Sequence, residues 1–279
     1  MTAQVRAPHP RNPQIARIAR LLAVDPSQVL GLDDVPEPDL RALHDQISEA
    51  YFGPGRDQFA RVAGLSKVLP GAIAGRLAER FLPVQLAARA AELLEPTRAR
   101  DLVGHVSIGY LADLAVALDP TRSKALLAVA PPERVAEVAA EMFRRGEYEA
   151  MAELAGAVPI SGLFAALAVA SPHDLLELVP LLEWDEAIQR VVDGTPAGQL
   201  DGVLAEIAAA RRWGIGNCLI DQLSVTSFRR AVQRLAAAPA VTFERFRAAA
   251  REGLLDAAAG RLVHEASAAR SGTERAGTA

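Results

Sequence analysis

Apolar residues recur along this chain at the spacing of a helix, in short blocks that proline residues separate. Two representative blocks contain Leu86, Ala90, Leu93 and Leu94, and Leu111, Leu114, Ala115 and Leu118. Steps of three and four residues place such positions on one face of a helix. Alternating runs rich in β-branched or aromatic side chains, the pattern of strands, are missing. The pattern predicts an all-α protein.

Several blocks begin with a polar residue followed by proline. The pairs are Asp25-Pro26, Asp119-Pro120, Ser171-Pro172, Thr195-Pro196 and, as a weaker copy, Glu95-Pro96. The first residue can accept hydrogen bonds from the free N–H groups of a helix. Proline suits the first helical position because its missing N–H would have no partner there. Each pair therefore predicts the start of a helix.

The spacing of these boundaries predicts how the helices are arranged. They fall at Pro70, Pro83, Pro96, Ser107, Pro120 and Pro132, and successive boundaries lie 11 to 13 residues apart. Helices of two to three turns are marginal in water, because nucleation is costly. They persist when neighbours bury their apolar faces, as in a stack of hairpins. We expect a right-handed α-superhelix, or solenoid, of short helical hairpins with helical caps at both ends.

The same pattern divides the chain into five segments. Residues 1–13 and 267–279 are rich in small and polar residues or proline and are predicted to be disordered tails. Residues 14–66 are predicted to form an N-terminal helical cap, and residues 67–142 a run of short helical repeats. Residues 143–266 are predicted to form longer helical hairpins and a C-terminal cap.

A longer repeat accompanies the short one. Residues 143–146, followed by an apolar helix and Pro159, resemble residues 52–55, which are followed by an apolar helix and Pro70. Residues 211–214 form a third, degraded copy. This similarity predicts a duplication of a larger unit.

Composition and charge narrow the classes of function. The 30 Lys and Arg residues are dispersed among 34 Asp and Glu, and without a basic stripe we expect no nucleic-acid partner. The single cysteine, Cys218, lies in an apolar run, which predicts a buried thiol and a reducing, cytoplasmic location. The longest nearly apolar stretch, residues 162–170, is about half as long as a bilayer crossing requires, so no membrane span is predicted.

The sequence offers no catalytic set. No histidine lies four residues from another histidine or from the cysteine, and no phosphate-binding or nucleophile motif is complete. We therefore expect a protein that is not an enzyme and that carries no cofactor.

One acidic segment offers a metal-binding alternative. It contains Asp33, Asp34, Glu37 and Asp39. Carboxylates are suitable ligands for Mg²⁺, so weak Mg²⁺ binding is one interpretation. The other is a turn into a helix that begins near Pro38, where acidic side chains are favoured by the helix dipole.

Three short units carry a resemblance to a known family. They are Leu-Glu-Pro-Thr-Arg-Ala-Arg-Asp-Leu at 94–102, Leu-Asp-Pro-Thr-Arg-Ser-Lys-Ala-Leu at 118–126 and Ala-Pro-Pro-Glu-Arg-Val-Ala-Glu-Val at 130–138. They are similar to the cytosolic N-terminal domain of MgtE-type magnesium transporters, over about residues 70–142. The resemblance implies a right-handed superhelix and a regulatory or partner-binding role. It does not imply transport, because the family's regulatory tandem domain and pore have no counterpart here.

The leading functional hypothesis is a cytoplasmic helical-repeat scaffold or adaptor that binds another protein in a concave groove. Aromatic and arginine side chains favour such contacts, although each can equally belong to the core. The candidates are Tyr110, Phe143, Arg144, Arg145, Tyr148, Trp184 and Trp213. The alternatives are a Mg²⁺-responsive regulatory module, and a helical protein with an apolar cavity for a lipid or isoprenoid.

Overall fold

The chain is all-α. A computed structural model describes residues 13–22, 24–52, 60–61, 63–64 and 69–276, and every regular element in these ranges is a helix. None of the helices in these ranges combines the length and the apolar character needed to cross a membrane. The chain divides into two compact units between His105 and Val106. This boundary falls inside segment 67–142, which the sequence pattern treats as one run of repeats.

The first unit contains two groups of packed helices. Its elements are α1 (Pro13–Leu21), a 3₁₀ helix (Pro26–Leu32), α2 (Glu37–Phe52), α3 (Gly71–Phe81), α4 (Val84–Glu92) and α5 (Pro96–Val103). Helix α1 packs on the 3₁₀ helix and on α2 around the buried side chains of Ile15, Ile18 and Leu40. Helix α3 packs on α5, and Arg98 of α5 donates a hydrogen bond to the carbonyl oxygen of Leu69.

The second unit is a longer series of helices. They are α6 (Ile108–Ala117), α7 (Pro120–Leu127), α8 (Pro132–Arg145), α9 (Tyr148–Ala155), α10 (Ile160–Val169), α11 (Pro172–Leu178), a 3₁₀ helix (Val179–Leu181), α12 (Glu186–Asp193), α13 (Ala197–Ala209), α14 (Trp213–Asp221), α15 (Val225–Ala237), α16 (Ala240–Arg251) and α17 (Ala257–Ala276). Alternate helices pack on each other. Helix α8 contacts α6 and α10, α11 contacts α9 and α13, and α15 contacts α13 and α17.

The end of the chain differs from its prediction. Helix α17 continues to Ala276, so the disordered tail predicted for residues 267–279 is wrong for residues 267–276. Ser267 bonds to the carbonyl of Val263 within the helix, at 2.7 Å, and Arg270 bonds to the carbonyl of Ala238, at 2.9 Å. These contacts stabilise the helix in a segment whose small and polar residues had suggested a disordered tail. Residues 277–279, and the predicted tail 1–13 apart from its last residue, lie outside the described residues.

The helix starts follow the polar-proline pairs closely. Helices α5, α7 and α11 begin at the proline of their pair. Asp119 accepts hydrogen bonds from the backbone N–H groups of the first turn of α7, and Ser171 forms a capping box with Asp174. Thr195 differs: α13 starts one residue after Pro196, and the Thr195 hydroxyl bonds back to the carbonyl of Val191, at 3.1 Å.

Long polar side chains cap the C-terminal ends of neighbouring helices. The last carbonyl groups of a helix have no partner in their own helix and carry partial negative charge. A side chain from a later helix donates to carbonyls at or just beyond the ends of α10, α12, α13 and α15. The donors are Gln199, Arg230, Arg245 and Arg270, respectively. Each of these ends is therefore tied to a helix that follows it in the chain.

Side-chain hydrogen bonds between helices of this unit join residues roughly one helical hairpin apart. The separation is 26 residues from Tyr148 to Asp174, 33 from Arg234 to Asp201 and 37 from Arg230 to Asp193. Short, regular separations of this kind are typical of chains in which each structural unit contacts its neighbours.

The apolar core of the second unit has a large and a small part. The large part contains side chains of α11 and of the five helices from α13 through α17. Its most buried side chains include Leu176, Leu235, Phe246 and Leu262, each 0% exposed. The small part lies among α6, α8 and α9 and is built around Ala112, Met142, Ala150 and Leu154. Alanine at many helix contacts allows the helices to approach closely.

Candidate interaction surface

Three of the predicted partner-binding residues belong to the interior. Tyr110 on α6 is 9% exposed, and Phe143 on α8 and Trp213 on α14 are each 8% exposed. Phe143 packs with Ala139 and Ala170 in a small buried cluster. The structure therefore places Tyr110, Phe143 and Trp213 in the core, which is the alternative that the sequence left open for each of them.

The two adjacent arginines at the end of α8 are arranged differently. Arg144 and Arg145 both bond to Glu141, at 2.6 and 2.7 Å, and hydrogen bonds from these two guanidinium groups lower the pKa of Glu141 to about 2. Arg145 also reaches α6, where it donates to Asp113 at 2.5 Å and to the Gly109 carbonyl at 3.2 Å. The side chain of Arg144 is 69% exposed. Arg145 therefore links helices, whereas Arg144 faces solvent.

The predicted residues gather around one turn only in part. Phe143, Arg144, Arg145 and Tyr148 lie at the junction of α8 and α9, and the rings of Phe143 and Tyr148 are 6.3 Å apart between centroids. Trp184 is half-buried between the 3₁₀ helix and α12, and no described contact joins it to this group. The seven candidates therefore do not form one continuous surface.

A polar cluster on helix α11 brings together side chains from helices before and after it. We call it the α11 cluster; it comprises Tyr148, Ser171, His173, Asp174, Glu177, Glu206 and Arg212. The Tyr148 hydroxyl donates to Asp174 at 2.8 Å, and Arg212 donates to Glu177 at 2.6 Å. The imidazole of His173, 59% exposed, lies 3.8 Å from Glu177 and 3.9 Å from Glu206.

The electrostatics of the α11 cluster shift two pKa values. Burial, together with the hydrogen bond to Asp174, raises the pKa of Tyr148 to about 12. Burial alone would raise the pKa of Asp174, but hydrogen bonds from Ser171 and Tyr148 outweigh it and hold this pKa below its usual value. The Ser171 hydroxyl donates to the Asp174 carboxylate at 2.6 Å, in addition to the two backbone hydrogen bonds of the capping box. The serine here therefore serves the start of a helix.

Replacing Tyr148 by phenylalanine tests the link between α9 and α11. We expect the free energy of unfolding to fall by about 1–2 kcal/mol, because a hydrogen bond to a carboxylate is lost. The folded state raises the pKa of the Tyr148 phenol, so the protonated phenol stabilises the fold. This contribution is fully present below the ordinary pKa of tyrosine and is lost as the pH rises towards 12. Absorbance at 295 nm should show one late-titrating phenol that is missing from Tyr148→Phe. If the absorbance difference between the wild type and Tyr148→Phe titrated with a midpoint near pH 10, the assignment would be contradicted.

The sequence pattern missed Asp174 and Glu177. Asp174 follows Ser171 by three residues, which is the spacing of a capping box and could have indicated its position. Glu177 lies one turn later on the same helix. Its partner Arg212 is 35 residues away, and no local signal connects them.

At three helix ends of the described chain, one residue has a left-handed backbone conformation. These three residues show which positions of the longer repeat correspond to one another. Gly146 (φ 75°), Arg211 (φ 54°) and Gly253 (φ 71°) each follow a helix in this conformation. In each case the next backbone N–H bonds to the carbonyl five residues before it, at 3.0 Å. Arg211 therefore corresponds to Gly146 and Trp213 to Tyr148, whereas the sequence alignment paired Gly214 with Gly146.

Arginine is an uncommon choice for this position. Glycine adopts the left-handed conformation without a steric penalty, whereas a residue with a Cβ atom is strained there by about 1–2 kcal/mol. Arg211 is the one residue other than glycine with positive φ in the described part of the chain.

Arg211 lies at the mouth of a small pocket between α13 and α16. The pocket has a volume of about 240 Å³, and its lining residues are Ala208, Ala209, Arg211, Trp213, Arg245, Ala248, Ala249 and Glu252. The Arg211 guanidinium is 3.4 Å from the Glu252 carboxylate, and both side chains are more than half exposed. Trp213 is 8% exposed, packs edge-on against Phe246, and has no hydrogen-bond acceptor for its indole N–H.

The four carboxylates of the acidic segment are divided between a turn and the start of a helix. Asp33 and Asp34 are exposed in a turn, and Glu37 and Asp39 lie in the first turn of α2, where Glu37 pairs with Arg41. In the ranges that the structure covers, no group of three or more His, Cys, Asp or Glu side chains is placed to hold a metal ion. Weak Mg²⁺ binding through one or two of these four carboxylates stays a sequence-based prediction.

Cys218 is also placed differently from its prediction. It lies on the exposed side of α14 as a free thiol, although its neighbours in sequence are apolar. Residues 216 and 220 take the buried positions of this helix, so the helical period turns position 218 outwards.

Comparisons with family models, curated proteins and solved structures found no match for this chain. The resemblance of residues 70–142 to MgtE-type domains stays a sequence-based expectation.

Proposed function

We propose that this protein is a non-enzymatic helical-repeat scaffold or adaptor, located in the cytoplasm, that binds another protein. In this proposal the second unit is a right-handed solenoid, with helical caps closing the array. The observation that supports it most is the packing of alternate helices combined with side-chain bonds that span about one hairpin, such as Tyr148 to Asp174. Stacks of this kind offer an extended concave surface to a partner.

The binding surface that we propose includes the α11 cluster and the exposed Arg144. Side chains of α9, α11 and α13 meet in the α11 cluster, and Arg144 lies at the end of α8, four residues before Tyr148. Arg144 and His173 are largely exposed. Arginine is favoured among residues that contribute strongly to interfaces. The partner would add contacts at the exposed edge of this cluster while the bonds of Tyr148 and Arg212 to α11 hold its position.

The alternatives have less support. A Mg²⁺-responsive module is best served by several converging ligands, and in the described part of the chain no three His, Cys, Asp or Glu side chains are placed to hold a metal ion. A lipid or isoprenoid carrier would need a large apolar cavity, and the pocket beside Trp213, at about 240 Å³, is too small to be that cavity.

Affinity purification of the tagged full chain from its native host tests the scaffold proposal. We expect stoichiometric recovery of a partner protein, and at least a tenfold lower recovery with the double variant Arg144→Glu, His173→Glu. Lys124→Glu is the matched control, because Lys124 is exposed on α7, away from the α11 cluster. Repeated recovery of no stoichiometric partner would contradict the proposal, and equal losses with the control would contradict the assigned surface.

A further inference from the structure

We propose that the pocket beside Trp213 binds a carboxylate group carried next to an apolar side chain, in a segment of the partner protein. This inference rests on the proposed scaffold function and names the chemistry of the partner. Three observations carry it: the left-handed conformation of Arg211, the charges around the pocket, and the size of the pocket.

The left-handed conformation at position 211 closes the turn, but this conformation is costly for arginine and does not need an arginine side chain. The two equivalent turns use Gly146 and Gly253, which adopt positive φ without strain. A glycine would therefore satisfy the backbone at position 211 as well. Arginine adds a guanidinium group at the mouth of the pocket. A strained residue that the fold itself does not need is an indication of function.

The charges around the pocket favour an anion. Arg211 and Arg245 contribute two positive charges, and Glu252 contributes one negative charge. The ion pair of Arg211 with Glu252 is 3.4 Å long and exposed, so it is weak and easily exchanged. The Arg245 guanidinium donates a hydrogen bond to the Ala208 carbonyl oxygen that is long, at 3.4 Å, and therefore weak. An incoming carboxylate can therefore bind both guanidinium groups without breaking a strong contact.

The floor of the pocket favours an apolar group beside that carboxylate. It is formed by alanine methyl groups of α13 and α16 and by Trp213. A volume of about 240 Å³ is below the range of about 300–1,000 Å³ typical of small-molecule sites and suits one or two side chains of a peptide. An acidic residue next to leucine in an extended partner segment fits both features.

The indole N–H resonance of Trp213 provides a local test on the full chain. The protein has two tryptophans, so a Trp184→Phe spectrum assigns the signal of Trp213. The probe is the peptide acetyl-Leu-Asp-Leu-amide, and the matched neutral probe is acetyl-Leu-Asn-Leu-amide. We expect a saturable shift of the Trp213 signal with the aspartate peptide, and at least tenfold weaker binding of the asparagine peptide.

Two variants separate binding from folding. Arg211→Gly should bind the aspartate peptide at least tenfold more weakly while its melting temperature stays equal to that of the wild type or rises, since glycine suits the backbone there. Arg245→Gln should also weaken binding, and Arg251→Gln, on the same helix and outside the pocket, should not. No saturable shift with the aspartate peptide, equal binding of both peptides, or full binding by Arg211→Gly would overturn the inference.

The outcome is separable from that of the scaffold proposal. If a stoichiometric partner is recovered equally well with Arg211→Gly, the scaffold stands and the pocket inference fails. If the aspartate peptide binds as expected but no partner is recovered, the pocket is a carboxylate site and the scaffold proposal fails.

Discussion

Replacing Phe246 by alanine is expected to lower the free energy of unfolding of the helices α13 to α17, which share its core, by about 3–5 kcal/mol. The Phe246 ring is 0% exposed and lies edge-on to the Trp213 ring, with 5.2 Å between centroids. It belongs to the apolar core that joins α11 and α13 to α17. Alanine leaves a cavity that the surrounding helices close only in part, so lost burial and lost contacts add together.

Urea unfolding followed by circular dichroism measures this effect as a shift of the midpoint. Val241→Ala is the matched control, because Val241 lies on the same helix with 66% of its surface exposed. We expect the control to change stability by no more than about 0.5 kcal/mol. A loss below about 1 kcal/mol for Phe246→Ala would contradict the assigned position of this side chain in the core.

Replacing Arg230 by alanine is expected to cost about 2–3 kcal/mol. Arg230 donates to the carbonyl oxygens of Asp193 and Thr195 at the end of α12, where these groups have no partner in their own helix. The Asp193 carboxylate of the same turn accepts hydrogen bonds from Ser224 and Ser227, at 2.5 Å each. Removal of the guanidinium leaves two carbonyl groups unpaired within this contact between α12 and α15.

Arg229→Ala is the control for this substitution. Arg229 is the adjacent residue on α15 and is exposed, so its loss changes the net charge equally without removing the cap. We expect a change within about 0.5 kcal/mol for Arg229→Ala in the same urea experiment. Equal losses for the two variants would show that charge, and not capping of α12, explains the effect.

Local signals in the sequence predicted the helices well. Asp119-Pro120 and Ser171-Pro172 mark helix starts because capping and the fixed φ of proline act within a few residues. The continuation of α17 to Ala276 was missed, because its contacts come from elsewhere in the chain. Arg270 reaches the end of α15, 32 residues away, and local composition carries no information about that bond.

The candidate surface was harder to predict. Phe143 and Tyr148 are both aromatic and close in sequence, yet Phe143 is buried while the Tyr148 hydroxyl reaches Asp174 on another helix. Arg211 looked like part of a degraded repeat, and only its backbone conformation shows that it replaces a glycine. Burial and left-handed turns depend on how helices meet, which the spacing of apolar residues does not specify.

The capping side chains suggest how a core poor in aromatic residues is held together. Aromatics form only 5% of the sequence, and many helix contacts are made by alanine. Small side chains bury little area each, so hydrogen bonds from Arg230 and Arg270 to neighbouring helix ends add stabilisation and fix the register.

Hydrogen exchange of the Phe246→Ala variant, measured by mass spectrometry in native buffer, tests most directly the claim that each helix depends on its neighbours. If stability is a sum of local terms, the helices α13 to α17 should exchange markedly faster while α6 to α9 keep the protection of the wild type. Equal acceleration in both groups of helices would show that the second unit unfolds as one cooperative body, and it would contradict the account.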